Sequence, residues 1–267
     1  MHVLTFFDDK NVNISSLQAH KDVLDLWKYS WEYHGFKAIV VKHSDIQNTD
    51  DYYQLLFEIS KINSLNKNKK YLLHNNFETS ISCAPLSPRA LNNHYVKWLI
   101  CSQTFNNDNQ AIYSDYSLLN IKFGKKNTEL YHDKTYLKFL NGTNANLFSF
   151  NKESATRVLN SLYKICDQYK NKLKLNDRQQ ILDSDIFSLV PTKNYRSKRY
   201  KLLFSNTVCS DFSLEEDLNT AICEFSFSKL NKCIHENSKY HHYDPIIFRR
   251  DLMKQYLINA KMKKDEL

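Results

Sequence analysis

The chain has 267 residues, 42% of them hydrophobic and 13% aromatic, enough for a substantial core, which excludes wholesale disorder. Lys and Arg outnumber Asp and Glu by 37 to 29, a net charge of +8 that favours polyanionic partners such as nucleic acid or anionic lipid. Three Gly and four Pro among many Lys, Asn, Ile and Tyr also fit AT-rich coding, so charge alone does not name a partner.

The six cysteines at 83, 101, 166, 209, 223 and 233 form no CxxC pair, which excludes the common zinc spacings and a dense disulfide framework. Reduced thiols in the cytoplasm are expected. No run approaches the ~18 apolar residues of a membrane span, and no secretory signal pattern opens the chain. The terminal Lys264-Asp265-Glu266-Leu267 spells an ER-retention address, which is read only after entry to the secretory route. A Lys-rich tail explains it.

His2–Phe7 is a β-branched and aromatic run followed by Asp8-Asp9-Lys10-Asn11, a strand ending in a polar loop. Val23, Leu24, Trp27 and Trp31 share one face of a helix over Ala19–His34. Gly35 stops it, and Phe36–Val41 forms a second buried strand. Strand, helix, strand in this order predicts a βαβ unit, and so a parallel sheet with a right-handed crossover.

Further helices are expected over Tyr52–Ile62, Arg89–Phe105, Lys152–Tyr169 and Asp177–Val190, with a loop at Pro85–Pro88. Strands are expected at Ala111–Tyr113, Asn144–Phe150 and Lys201–Phe204. Asp244 and Pro245 supply an N-cap and a first helical residue for a closing helix to about Lys261. The fold class is therefore α/β, a Rossmann-like, mostly parallel sheet flanked by helices, in a single domain with a C-terminal helical tail.

Open α/β sheets bind ligands at the carboxyl ends of their strands, where Asp8 and Asp115 fall. A carboxylate there can hold a divalent cation against a diphosphate and offset its leaving charge. A strand-end aspartate is also common as a plain turn residue.

Several segments, in order, resemble small GT-A glycosyltransferases across about residues 1–230. These are His2–Asp8, then Leu26-Trp27-Lys28-Tyr29-Ser30-Trp31, then Gly35-Phe36 with Ile39-Val40-Val41. Tyr95-Val96-Lys97-Trp98 is similar to a basic–aromatic pair on the helix before the metal motif. Ala111–Ser117 is similar to the Y-x-D-x-D strand end, Ser184-Asp185 to the S-D segment of the sugar site, and Ala221–Ser226 to a late strand ending in a metal-binding His. Two positions depart from that pattern: Ser117 stands for the second acid and Glu224 for the histidine.

The resemblance implies a retaining, metal-dependent hexosyltransferase using a UDP-sugar, with Mg²⁺ or Mn²⁺ on Asp115, Ser117 and Glu224. An all-oxygen set suits these hard ions; the other reading of the two departures is a site that has lost its metal. The resemblance further implies that Thr5, Phe6 and Phe7 lie beside the base and ribose. Lys97 and Asp115 approach the diphosphate, and Asp185 acts at the transferred sugar. Core packing is the rival role for Thr5–Phe7 and Trp98. The nucleotide half is expected over about residues 1–120, the acceptor half over about 121–240 and the helix over about 244–261.

Basic residues gather late in the chain, at Arg196, Lys198, Arg199 and Lys201 with interleaved tyrosines, at Arg249-Arg250 and in the Lys261–Lys264 tail. Nucleic-acid surfaces mix cations and aromatics in this way, as do ordinary solvated faces. Similar transferases of T-even-like phages glucosylate hydroxymethylcytosine, or the glucose already on it, so double-stranded DNA is the expected acceptor. A protein or polysaccharide acceptor, and a non-catalytic nucleic-acid-binding module on a degenerate transferase fold, are the alternatives.

Overall fold

A computed structural model describes residues 1–67, 88–104, 110–124, 137–139, 146–172, 192–194, 200–202, 222–225, 230, 234 and 244–260. In chain order these form β1 (His2–Phe7), α1 (Leu17–Tyr33), β2 (Lys37–Lys42), α2 (His43–Ile46), α3 (Asp50–Lys67) and α4 (Pro88–Gln103). There follow β3 (Ala111–Ser114), β4 (Leu118–Asn120), β5 (Leu137–Phe139), β6 (Leu147–Phe150) and α5 (Lys152–Lys172). The chain continues through β7 (Thr192–Asn194), β8 (Tyr200–Leu202) and β9 (Ile222–Glu224) to a final helix, α6 (Pro245–Asn259).

The main sheet has six strands in the order β2-β1-β3-β6-β5-β7. β1 pairs in parallel with both β2 and β3, while β6 runs antiparallel between β3 and β5. The predicted β1–α1–β2 unit is present, with its parallel pairing. A second sheet, β4-β9-β8, joins the stretch after β3 to the late strand.

The α1–β2 corner shows how local chemistry sets this geometry. Gly35 is left-handed at φ 82°, its N–H donates to the Glu32 carbonyl at 2.8 Å, and the N–H of Phe36 reaches the Trp31 carbonyl at 3.2 Å. That pair of bonds is a Schellman ending. Its hydrophobic contact is the Trp31–Phe36 ring pair, edge to face at 5.2 Å.

Side chains alternate across β1 as the strand period requires. Leu4 and Phe6 enter a core under α3, α4 and α5, whereas Val3 faces Trp27 and Trp31 of α1. A third cluster joins α1, the small sheet and α6 through Val23, Leu119, Phe225, Met253 and Leu257. Asp244 caps α6, its Oδ1 accepting the Ile246 N–H at 2.8 Å, and Arg250 pairs with Asp22 of α1 at 3.3 Å. The closing helix is thus packed into the body of the fold rather than appended to it.

The helix expected over Asp177–Val190 lies outside the described residues. So do Asp185, Arg196, Lys198 and Arg199, and of Lys201 only its place in β8 is described.

Candidate active site

The parallel strands β1, β2 and β3 end at one edge, which brings Asp8, His43 and Asp115 to the same side of the sheet. Just past β3 the chain turns. The Asp115 N–H donates to the Asn146 carbonyl at 2.8 Å, which ties the turn to the start of antiparallel β6. Ser117 and Leu118 donate their N–H groups to Oδ1 and the carbonyl of Asp115, at 2.8 and 3.0 Å. This Asx turn leads the chain out of the main sheet and into β4.

Pairing in the small sheet completes the site. Leu118 lies opposite Glu224, and the Phe225 N–H donates to the Ser117 carbonyl at 2.8 Å. Glu224, only 5% exposed, accepts a hydrogen bond from the Asn146 side-chain amide at 3.3 Å. Asp115, Ser117 and Glu224, distant in sequence, are therefore neighbours, with Asn146 bridging the first and last through its backbone and side chain.

Arg249 approaches this group from α6. The sequence pattern groups it with Arg250 among solvent-facing cations, but it is 3% exposed, because α6 turns Arg250 toward Asp22 and Arg249 inward. Its guanidinium carbon lies 5.9 Å from the Tyr116 ring centroid, and it hydrogen-bonds to the Tyr116 side chain. Burial lowers its pKa, while Tyr116, Asp115 and Glu224 pull it back up. Tyr116 also meets Phe7 edge-on at 6.0 Å and His20 at 6.4 Å. Of the residues expected beside the nucleotide, Phe7 thereby reaches the acidic cluster.

A second polar group lies at the ends of β1 and β2. Nδ1 of His43 is 3.2 Å from Oδ1 of the buried Asp8, and its Nε2 is 2.8 Å from the Tyr52 hydroxyl. Phe6 stands beside this chain, 6.3 Å from the His43 ring. Burial raises the Tyr52 pKa, and the Asp8 charge raises it further, so the phenol keeps its proton. Sequence spacing marks Asp8 and gives no sign of His43 or Tyr52.

Thr5 is fully buried within the sheet, opposite Val40. Lys97 is 4% exposed on α4, its Nζ 5.7 Å from the Trp98 ring and close enough to Cys101 to favour that thiolate. Burial dominates at Cys101 and pushes its thiol well up, so it stays protonated. Trp98 itself is core, stacked on Phe148 at 4.5 Å. Cys101 and Cys223 are free and buried.

Among the described residues no three His, Cys, Asp or Glu side chains gather as a metal-binding group. Two carboxylates with a hydroxyl are nonetheless a fitting set for Mg²⁺, which commonly takes one or two protein carboxylates and completes its shell with water and substrate phosphates. Asp115 and Glu224 would hold such an ion, which neutralises charge growing on a leaving diphosphate. Each carboxylate already has one oxygen engaged, Asp115 by the Ser117 amide and Glu224 by Asn146.

No protein-family model matches the chain, and no curated protein does either. Among solved structures it is similar to the galactosyltransferase LgtC in complex with donor and acceptor sugar analogs, at 12% identity and a TM-score of 0.48, covering 100% of this chain and 98% of that one. It is also similar to the glycosyltransferase GlyE of Streptococcus pneumoniae (11% identity, TM-score 0.44, 97% and 64% of the two chains). A third similar structure is mouse xyloside xylosyltransferase 1, at 9% identity and a TM-score of 0.41, over 84% and 96%.

Proposed function

We propose that this chain is a GT-A-type glycosyltransferase that moves a hexose from a UDP-sugar, with the diphosphate held at Asp115, Ser117 and Glu224. The convergence of Asp115 and Glu224 at the carboxyl edge of β3 carries the reading. Arg249 sets one positive charge against the two negative charges of Asp115 and Glu224, which leaves the group favouring a further cation. At a strand-end edge of an α/β sheet, a cation-bound phosphate ligand meets that need.

Phe6 and Phe7 carry the edge of β1 toward two polar groups, Asp8–His43 and the acidic cluster. A nucleoside lying along that edge would have its base near the first and its diphosphate near the second. Lys97 and Asp185 keep the roles that the sequence resemblance assigns, at the diphosphate and the transferred sugar. The proposed acceptor is modified duplex DNA carrying hydroxymethylcytosine or its glucosylated form. The excess of cations supports it, as do the tyrosines among Arg196, Lys198, Arg199 and Lys201. The experiment is a screen of labelled nucleotide sugars against unmodified, hydroxymethylated and glucosylated duplexes, in which transfer from a UDP-hexose to modified DNA is expected.

A further inference from the structure

We propose that Asn146 is a positioning residue of the donor site, one whose side chain sets Glu224 in place for the cation that holds the diphosphate. The inference rests on the glycosyltransferase reading above. The two carboxylates come from different sheets: Asp115 follows β3 of the six-stranded sheet, and Glu224 ends β9 of the three-stranded one. Asn146 immediately precedes β6, whose antiparallel register sets Leu147 opposite Ser114, so it meets the aspartate turn. Its carbonyl accepts the Asp115 N–H at 2.8 Å, and its side-chain amide donates to Oε1 of Glu224 at 3.3 Å. One residue thereby ties both carboxylates across the two sheets, the first by its main chain and the second by its side chain.

Any residue can supply that carbonyl, so the side chain is what makes position 146 specific. A neutral amide donates a hydrogen bond and leaves the charge of the group unaltered. A Lys or Arg there would cancel a negative charge, and an Asp or Glu would repel Glu224. A glutamate side chain has several rotatable bonds, and holding it before the ion arrives lowers the ordering cost of binding. Asp115 has further anchors. Trp27 donates from Nε1 to the Ser114 hydroxyl at 3.2 Å, Ser114 donates to the Asp115 carbonyl at 3.2 Å, and the Ser117 N–H donates to Oδ1. Removing the Asn146 side chain therefore acts on Glu224 and leaves the aspartate turn in place.

The test is Mn²⁺ binding followed by electron paramagnetic resonance, for the unmutated protein, Asn146→Ala, Glu224→Gln and the double variant. Asn146→Ala is expected to bind Mn²⁺ about ten- to a hundredfold more weakly, the scale of losing a hydrogen-bond partner behind a metal ligand. In the Glu224→Gln background the same change is expected to cost no further affinity, because the carboxylate it positions is gone. A role confined to folding would instead lower affinity alike in both backgrounds. If Asn146→Ala does not fold, as thermal unfolding in EDTA will show, Asn146→Leu keeps the volume without the donor and decides by the same comparison. Unchanged affinity in the folded variant, or an equal loss with and without the Glu224 carboxylate, overturns the role of Asn146 and leaves the transferase reading standing. Absence of Mn²⁺ binding by the unmutated protein overturns both the inference and the metal-held diphosphate.

Discussion

Ser117 donates its backbone N–H to Oδ1 of Asp115 at 2.8 Å. The residue that stands where the resembled pattern has a second acid thus positions the first one, through its backbone rather than its side chain. Since that bond needs no serine, Ser117→Asp should keep the turn and add a third carboxylate. Metal affinity rises with ligand charge, so we expect Mn²⁺ to bind this variant on the order of tenfold more tightly. Titration followed by Mn²⁺ electron paramagnetic resonance checks it, and unchanged affinity would place residue 117 away from the ion.

His34 gives a pH prediction. Burial lowers its pKa, and a backbone hydrogen bond with Ile121 only partly restores it. The folded form therefore holds the proton less tightly than the unfolded chain. Its contribution is fully present above about pH 6.5, the ordinary imidazole value, and is lost as pH falls through the depressed folded value. Denaturant unfolding from pH 8 to pH 5 should show stability falling below about pH 6.5. His34→Gln should flatten that decline, and a decline of the same size in the variant would assign it to other groups.

Product stereochemistry follows from the proposed class. The S-D segment and the late strand resemble the pattern of retaining enzymes, from which Glu224 departs in place of the histidine, so an α-linked donor should yield an α-linked product. Proton NMR of the product settles it, and a β linkage would contradict the assignment.

DNA binding is open to a salt series. If Arg196, Lys198, Arg199 and Lys201 contact phosphates, affinity should fall steeply with salt, and removing each cation should reduce the log–log slope by about one unit. Fluorescence anisotropy with plain and hydroxymethylated duplexes separates affinity, set by phosphates, from selectivity, set by the pocket. Salt-independent binding would remove DNA as the acceptor and leave the sugar chemistry untouched.

The β1–α1–β2 unit was legible because Val23, Leu24, Trp27 and Trp31 repeat at helical spacing and Gly35 marks the stop. Asp115 was legible for a similar reason, as a polar residue just after a short apolar strand. β4 was not, because the three residues Leu118–Asn120 carry too little pattern to stand out. Arg249 was hidden by its neighbour. Two adjacent arginines read as a basic patch, yet consecutive helix residues point about 100° apart, so one met Asp22 and the other the acidic cluster. His43 and Tyr52 reach Asp8 only because β2 lies beside β1, and the parallel register that places them there depends on the whole sheet.

The most direct test of the central claim is hydrolysis of a labelled UDP-hexose in Mn²⁺ without acceptor, measured as release of uridine diphosphate by the unmutated protein, Asp115→Asn and Glu224→Gln. Release by the unmutated protein is predicted, cut at least about a hundredfold in Asp115→Asn, the scale of losing one preorganised group that stabilises developing charge. Glu224→Gln should release less and respond less to added metal. Equal release by the unmutated protein and Asp115→Asn, or none from any nucleotide sugar, would contradict a donor site at these carboxylates.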